Sequence, residues 1–168
     1  MSRGFIVVGP ERSGTRMLTE SLISVGVDGD SGHVQKVDKA NFHLIDDDFV
    51  IRRSFPHGHI QAPNLQEIAN AMRSAGHLPI TLVILRQVPF VWKSREREGW
   101  DQSDFYNVPL AMANIFVHIH GAGLEPHVVS YETFVTMPEV REELFSRFDL
   151  PAPTIEYFNA NDKYEVKL

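Results

Sequence analysis

Two kinds of hydrophobic pattern alternate along the chain. Short runs rich in apolar residues predict strands at 5–8, 49–54, 80–85 and 127–131. The run at 80–85 is continuously apolar, so we expect a central strand buried on both faces. Longer segments with apolar residues at 3.6-residue spacing predict helices at 14–25, 64–74, 89–98, 105–121 and 138–148. Residues 26–32 are a turn-rich break, and the structure of the tail from 151 is left open.

Local signals mark several helix ends and faces. Asn64 is a candidate N-cap, because Glu67 follows three residues later as in a capping box. Ser13 is a candidate N-cap of the first helix. The apolar face predicted for 105–121 consists of Phe105, Val108, Met112, Ile115, Phe116 and Ile119.

Strands that alternate with helices predict an α/β fold. We expect one domain over 1–168, a three-layer α/β/α arrangement around a largely parallel sheet of 4–5 strands, similar to that of P-loop nucleoside triphosphatases. Ligands of such sheets bind outside the carboxyl ends of the strands. The loop after Gly9, the loop that begins at Ser54, and Arg86 all follow predicted strands. These three segments are therefore predicted to meet.

Composition narrows the class of protein. The net charge of −6 argues against a broad nucleic-acid surface, whereas Arg52-Arg53 and 93–97 form local islands of positive charge. The chain has no cysteine, which excludes disulfides and thiolate metal sites. No window reaches the ~20 apolar residues of a membrane span, and no signal-peptide core is visible. We expect a soluble cytoplasmic protein.

The first strand leads into a loop suited to anions. Gly9 and Gly14 bound the loop, and a helix follows at once, so loop N–H groups and the helix N-terminus can converge on an anion. Side-chain donors in and after the loop are Arg12, Ser13, Thr15 and Arg16. The fragment is predicted to hold the phosphate end of a nucleotide.

The loop departs from the Walker A pattern at two positions. Gly9 and Gly14 have the Walker A spacing, but Thr15-Arg16 follows in place of Lys and Ser/Thr. A metal-dependent triphosphatase needs that lysine on the phosphates and that hydroxyl on Mg²⁺. The sequence favours a cradle in which arginine neutralises the charge and no metal is required.

Two segments together resemble the sulfotransferase superfamily. Residues 9–18, GPERSGTRML, resemble its 5′-phosphosulfate loop, and Leu85-Arg86 with Ser94 eight residues after the arginine resembles its 3′-phosphate segment. Residues 128–134 (VVSYETF) and 161–164 (NDKY) are weaker matches. The proline after Arg86 stands one position later than is usual in the family, at Pro89.

The resemblance implies a donor, 3′-phosphoadenosine 5′-phosphosulfate (PAPS), and a product, 3′-phosphoadenosine 5′-phosphate (PAP). It implies a 5′-phosphate site in the first loop, a 3′-phosphate site at Arg86 and Ser94, and a catalytic role for Arg12 at the bridging oxygen. The 5′-phosphate residues would be Arg12, Ser13, Gly14, Thr15 and Arg16.

The acceptor and its base are less well defined. A family branch carries its catalytic histidine after the second strand, where this chain has His57 and His59, with His57 the better candidate base. His118 and His120 point to different faces of one helix, so at most one of them could reach a site. The acceptor is expected to be a small molecule or a glycan that carries a hydroxyl or an amine.

Two other interpretations stay open at this level. One is a nucleotide or small-molecule kinase with a degenerate Walker A loop, which would need Mg²⁺ and a nearby carboxylate. The other is a non-catalytic module that binds a nucleotide. The acidic run Asp46–Asp48 is interpreted as a solvated turn and not as a metal cluster.

Overall fold

The computed structural model describes residues 1–29, 41–55, 62–99 and 107–164. The strands are β1 (Arg3–Pro10), β2 (Asp28–Gly29), β3 (Phe49–Phe55), β4 (Leu78–Leu85) and β5 (Pro126–Ser130). The helices are α1 (Thr15–Ser24), α2 (Leu65–Ser74), α3 (Val88–Arg97), α4 (Asn107–Gly121), α5 (Tyr131–Thr136) and α6 (Pro138–Ser146). Two short 3₁₀ turns lie at Phe42–Leu44 and Ala160–Lys163.

The five strands form one parallel sheet with the order β2-β3-β1-β4-β5. The first strand is central, between β3 and β4, so the loop after it emerges between the carboxyl ends of two neighbours. Helices cover both faces, and the predicted three-layer α/β/α class is confirmed.

Alternation along β1 explains its continuous apolar run. Phe5 and Val7 join a core with α1, α5 and α6, whereas Ile6 and Val8 join a second core with α2 and α4. All four side chains are fully buried. A strand that faces helices on both sides has no solvent-facing position, so its sequence carries no polar alternation.

Most predicted elements are present within a residue or two of their predicted ends. Asn64 caps α2, because its Oδ1 accepts a hydrogen bond from the Glu67 backbone N–H at 3.1 Å. The prediction that Ser13 caps α1 is wrong: the cap position is Gly14, which has no side-chain oxygen to accept a hydrogen bond. Asp48 is not a solvated turn residue, since its carboxylate accepts from the backbone N–H and the Nε of Arg3.

The sequence did not predict one strand and one α-helix. The strand β2 has only two residues, too few for a hydrophobic period to register. Helix α5 begins at Tyr131, a residue assigned to the preceding strand, because the Ser130 side chain caps a new helix there. In α4, Val108, Ile115 and Ile119 are buried as predicted, but Phe116 is 36% exposed. The predicted start at Phe105 lies outside the described residues.

No helix in the described part of the chain is both long and apolar enough to cross a membrane.

Candidate anion-binding site

The loop between β1 and α1 (residues 11–14, the β1–α1 loop) contains two residues with left-handed backbone conformation. Arg12 lies at φ 69° and Gly14 at φ 104°. A Cβ on Gly14 would lie 2.5 Å from Cδ2 of Tyr131, and a Cβ on Gly9 would lie 2.5 Å from the Ile84 carbonyl oxygen. Both positions therefore require glycine, and the loop packs tightly against the ends of β4 and β5.

Both neighbouring strands hold this loop in place. The Glu11 backbone N–H donates to the Phe55 carbonyl at 3.2 Å, at the carboxyl end of β3. On the other side, Nη1 of Arg86 donates to the Arg12 carbonyl at 3.0 Å. The predicted meeting of three segments at one edge of the sheet is thus confirmed for Ser54, Phe55 and Arg86.

The loop also contains a buried hydroxyl with no partner. Ser13 is completely buried, and among the described residues its Oγ makes no hydrogen bond. Such a group costs free energy unless a ligand or water completes it. The adjacent Thr15 is nearly buried, with its Oγ1 3.2 Å from the hydroxyl of Ser54.

Arg86 directly follows β4 and is only 5% exposed. Its Nε donates to Oδ1 of Asn161 at 2.7 Å, and its guanidinium carbon lies 4.7 Å from the ring centre of Tyr131. The rings of Phe90 and Tyr164 are 6.0 and 5.8 Å away. Its Nη2 is buried and, within the described residues, has no hydrogen-bond partner.

The electrostatic state of Arg86 favours an anion. Burial lowers the pKa of Arg86, and the nearby Tyr131, Tyr164 and Glu132 oppose that shift. An arginine remains charged at any ordinary pH. Among the described residues, no carboxylate lies within ion-pair distance of its guanidinium. A buried cation held by neutral groups, with one nitrogen still unpaired, is a strong candidate partner for phosphate.

A hydrogen-bonded network surrounds Arg86. Nδ2 of Asn161 donates to Oε1 of Glu132 at 3.1 Å, and the same oxygen accepts from the Gln87 backbone N–H at 3.1 Å. The Tyr131 hydroxyl accepts from the Ala160 backbone N–H at 3.0 Å. The network connects the end of β4, the start of α5 and the turn at Ala160–Lys163.

Arg12 makes an ion pair at the rim of the site. Its Nη2 lies 3.3 Å from Oε2 of Glu98, the residue that follows α3. The side chains are 34% and 47% exposed, so the pair faces solvent.

Other predicted site residues lie less directly in this cluster. Arg16 is exposed, with its Nε bonded at 2.9 Å to Glu20 one helical turn later. Ser94 is half-buried in α3, on the helix that begins just after Arg86. His57 and His59 lie outside the described residues. His118 is exposed and packs edge-on against the Phe55 ring at 5.5 Å.

The described ranges contain no group of three or more metal-ligating side chains. The donors around the β1–α1 loop are hydroxyl, amide and guanidinium groups, a set that suits an anion.

Sequence reasoning missed several residues that build the site. Glu98 contacts the predicted site residue Arg12, but no local pattern marks it. Glu132 and Asn161 lie within quoted motifs without an assigned role. Their only signal in the sequence is their position in those motifs. The hydrogen bond of Arg86 to Asn161 and that of Asn161 to Glu132 depend on the folded chain.

No protein-family model matches the chain, and no curated protein matches it. The resemblance to the sulfotransferase superfamily therefore stays a prediction that rests on the loop at 9–18 and on Arg86 and Ser94.

Proposed function

We propose that this protein is a sulfotransferase that moves a sulfuryl group from PAPS to a hydroxyl or amine of a small molecule or glycan. The observation that carries the proposal is the buried guanidinium of Arg86. It contacts the backbone of the β1–α1 loop at Arg12 and retains one unpaired nitrogen. A buried cationic group that directly contacts the β1–α1 loop suits a nucleotide that carries phosphates at both the 5′ and 3′ positions.

The residues divide between the two ends of the donor. The 5′-phosphate would be held by the β1–α1 loop with Ser13, Gly14 and Thr15, and Arg16 would add charge from the first turn of α1. The unpartnered hydroxyl of Ser13 and the left-handed backbone at Arg12 and Gly14 support a backbone cradle that a phosphate completes. The 3′-phosphate would be held by Arg86, with Ser94 on the following helix.

The reaction exchanges one sulfur bond for another. The bond from sulfur to the oxygen of the 5′-phosphate breaks, and a bond from sulfur to the acceptor oxygen or nitrogen forms. The leaving phosphate keeps the bonding electrons, and the acceptor loses a proton to a base. Arg12 stays charged, so it would stabilise the developing negative charge on the leaving oxygen. His57 is the proposed base.

Thermal unfolding with two ligands tests this proposal. We expect adenosine 3′,5′-bisphosphate, in the presence of EDTA, to raise the melting temperature in a concentration-dependent manner, because it binds the folded state. Stabilisation by ATP with Mg²⁺ but not by the bisphosphate would overturn the proposal in favour of a kinase. Binding of the bisphosphate without transfer from PAPS to any acceptor in a broad panel would indicate a non-catalytic nucleotide-binding module.

A further inference from the structure

Asn161 is held between a donor and an acceptor of opposite charge. Its side-chain oxygen accepts from Nε of Arg86, and its side-chain nitrogen donates to the carboxylate of Glu132. Arginine only donates, and an ionised carboxylate only accepts. The amide can therefore satisfy both neighbours in one orientation, and Asn161 is itself only 5% exposed.

Glu132 fixes the other end of this connection. Its Oε1 accepts from the Gln87 backbone N–H as well as from Asn161, and its Oε2 accepts from the Ser130 hydroxyl at 3.3 Å. The Gln87 backbone immediately follows Arg86 in the chain. Glu132 thus anchors both Asn161 and the backbone that carries the arginine.

The amide also keeps the two charges apart. A direct carboxylate partner would neutralise Arg86 and would compete with any bound phosphate. Asn161 instead supplies a neutral acceptor to Nε, while Arg12 supplies a carbonyl to Nη1. The guanidinium is then oriented by hydrogen bonds at two nitrogens and by the Tyr131 ring, and Nη2 is left for a ligand.

We propose that Asn161 and Glu132 are positioning residues of the donor site: together they orient Arg86 toward the 3′-phosphate without neutralising it. The turn at Ala160–Lys163 thereby becomes part of the nucleotide site. The inference rests on the proposed function, since it assigns a role to residues around the proposed 3′-phosphate contact.

The experiment measures affinity for adenosine 3′,5′-bisphosphate and for adenosine 5′-monophosphate by titration calorimetry on the full chain. Asn161→Asp keeps the side-chain volume but places one negative charge between Arg86, which it would attract, and Glu132, which it would repel. The new carboxylate would pair with the guanidinium of Arg86, so the 3′-phosphate would lose a charged hydrogen-bond partner. We therefore expect bisphosphate affinity to fall about tenfold or more. Affinity for the monophosphate should change by less than about threefold, since that ligand lacks the 3′ group.

Asn159→Asp is the matched control. Asn159 lies at the start of the same turn, and its side chain bonds to the Asn161 backbone and to Asp162, not to Arg86. The substitution makes the same change in net charge, so equal losses in the two variants would overturn the positioning role of Asn161.

A second pair of variants addresses Glu132 and guards against misfolding. Glu132→Ala removes the acceptor of the Asn161 and Gln87 groups, whereas Glu132→Gln retains an oxygen for both. We expect the alanine variant to lose bisphosphate affinity about tenfold and the glutamine variant to recover it to within about threefold. If both variants keep the bisphosphate affinity of the unmodified protein, or if both lose it, the role of Glu132 is overturned.

The two levels of the proposal fail in different ways. If the unmodified protein does not bind the bisphosphate, the proposed function fails. If it binds, and Arg86 variants lose the preference for the bisphosphate while Asn161 and Glu132 variants keep it, only the positioning inference fails.

Discussion

Arg12 and Glu98 form an ion pair across the mouth of the candidate site, with Nη2 of Arg12 3.3 Å from Oε2 of Glu98. The arginine follows the central strand, and the glutamate follows α3. The pair places a negative charge beside the cation that is proposed to meet the leaving group. A bound phosphosulfate would have to compete with Glu98 for that guanidinium.

Glu98→Gln should therefore strengthen anion binding. Solvent-exposed pairs contribute about 0–1 kcal/mol, so we expect affinity for adenosine 3′,5′-bisphosphate to rise up to about fivefold at low ionic strength. The gain should shrink as salt is added, because mobile ions screen the charge of Glu98. Glu96→Gln is the control, since Glu96 pairs with Lys93 at 3.2 Å and has a similar exposure of 49%. Titration calorimetry at two salt concentrations measures the effect, and weaker binding by Glu98→Gln would contradict it.

Arg86 substitutions should separate the two ends of the donor. Arg86→Ala removes the buried guanidinium, and Arg86→Lys keeps a charge but lacks the planar guanidinium whose separate nitrogens face Asn161, the Arg12 carbonyl and a ligand. We expect affinity for the 3′,5′-bisphosphate to fall at least about tenfold in both variants, and affinity for the 5′-monophosphate to fall much less.

Circular dichroism and melting temperature establish whether these variants fold, and Arg147→Lys at an exposed position just after α6 is the control. Similar losses for both ligands would mean that Arg86 acts by holding the Arg12 carbonyl, and it would no longer be assigned to the 3′-phosphate.

Gly14→Ala should disrupt the loop for a steric reason. The alanine would have to adopt a left-handed backbone conformation at φ 104°, and its Cβ would lie 2.5 Å from the Tyr131 ring. We expect the free energy of unfolding to fall by roughly 2–5 kcal/mol, from backbone strain and overpacking together.

Gly26→Ala isolates the backbone contribution, because Gly26 lies at φ 96° with nothing within 4 Å of the added Cβ. Gly26→Ala should lower the free energy of unfolding by about 1 kcal/mol. Urea denaturation measures both variants, and equal losses would show that contact with Tyr131 does not constrain the loop.

Tyr157 should make the stability depend on pH in the alkaline range. Its hydroxyl donates to Ser21 Oγ at 2.7 Å, and the Ser21 hydroxyl donates to the Met17 carbonyl. Burial raises the pKa of Tyr157 above its ordinary value of 10.0, while the Ser21 hydrogen bond and Arg141 partly oppose the shift.

The folded protein retains the proton of the Tyr157 hydroxyl to higher pH than the unfolded chain does. The contribution of this hydroxyl to the free energy of unfolding is therefore complete below about pH 10 and is lost as pH rises through the pKa of the folded state. Tyr157→Phe should lower the free energy of unfolding by about 1 kcal/mol at neutral pH. Between about pH 9 and pH 11, the free energy of unfolding should decline less in this variant than in the unmodified protein. Urea titrations across that range measure the difference, and identical alkaline slopes for the two proteins would contradict the prediction.

Individual residues show which parts of the site could be predicted. The position of Arg86 beside the β1–α1 loop could be predicted from the chain alone, because it stands at the end of an apolar run and the carboxyl ends of parallel strands meet at one edge. The capping oxygen of Asn64 was likewise local. In contrast, Ser13 was expected to cap α1, yet the steep turn at Arg12 and Gly14 places Gly14 at the cap and buries the Ser13 hydroxyl.

The sequence by itself determined the α/β class and the position of the β1–α1 loop, because those depend on hydrophobic period and on glycine within a few residues. Only the tertiary structure decided that Asn161 contacts Arg86 across 75 positions of the chain and that Glu98 pairs with Arg12. These contacts arise where β4, α3, α5 and the last turn pack at one edge of the sheet. Side chains brought together by packing have no shared period, so no local pattern predicts that they meet.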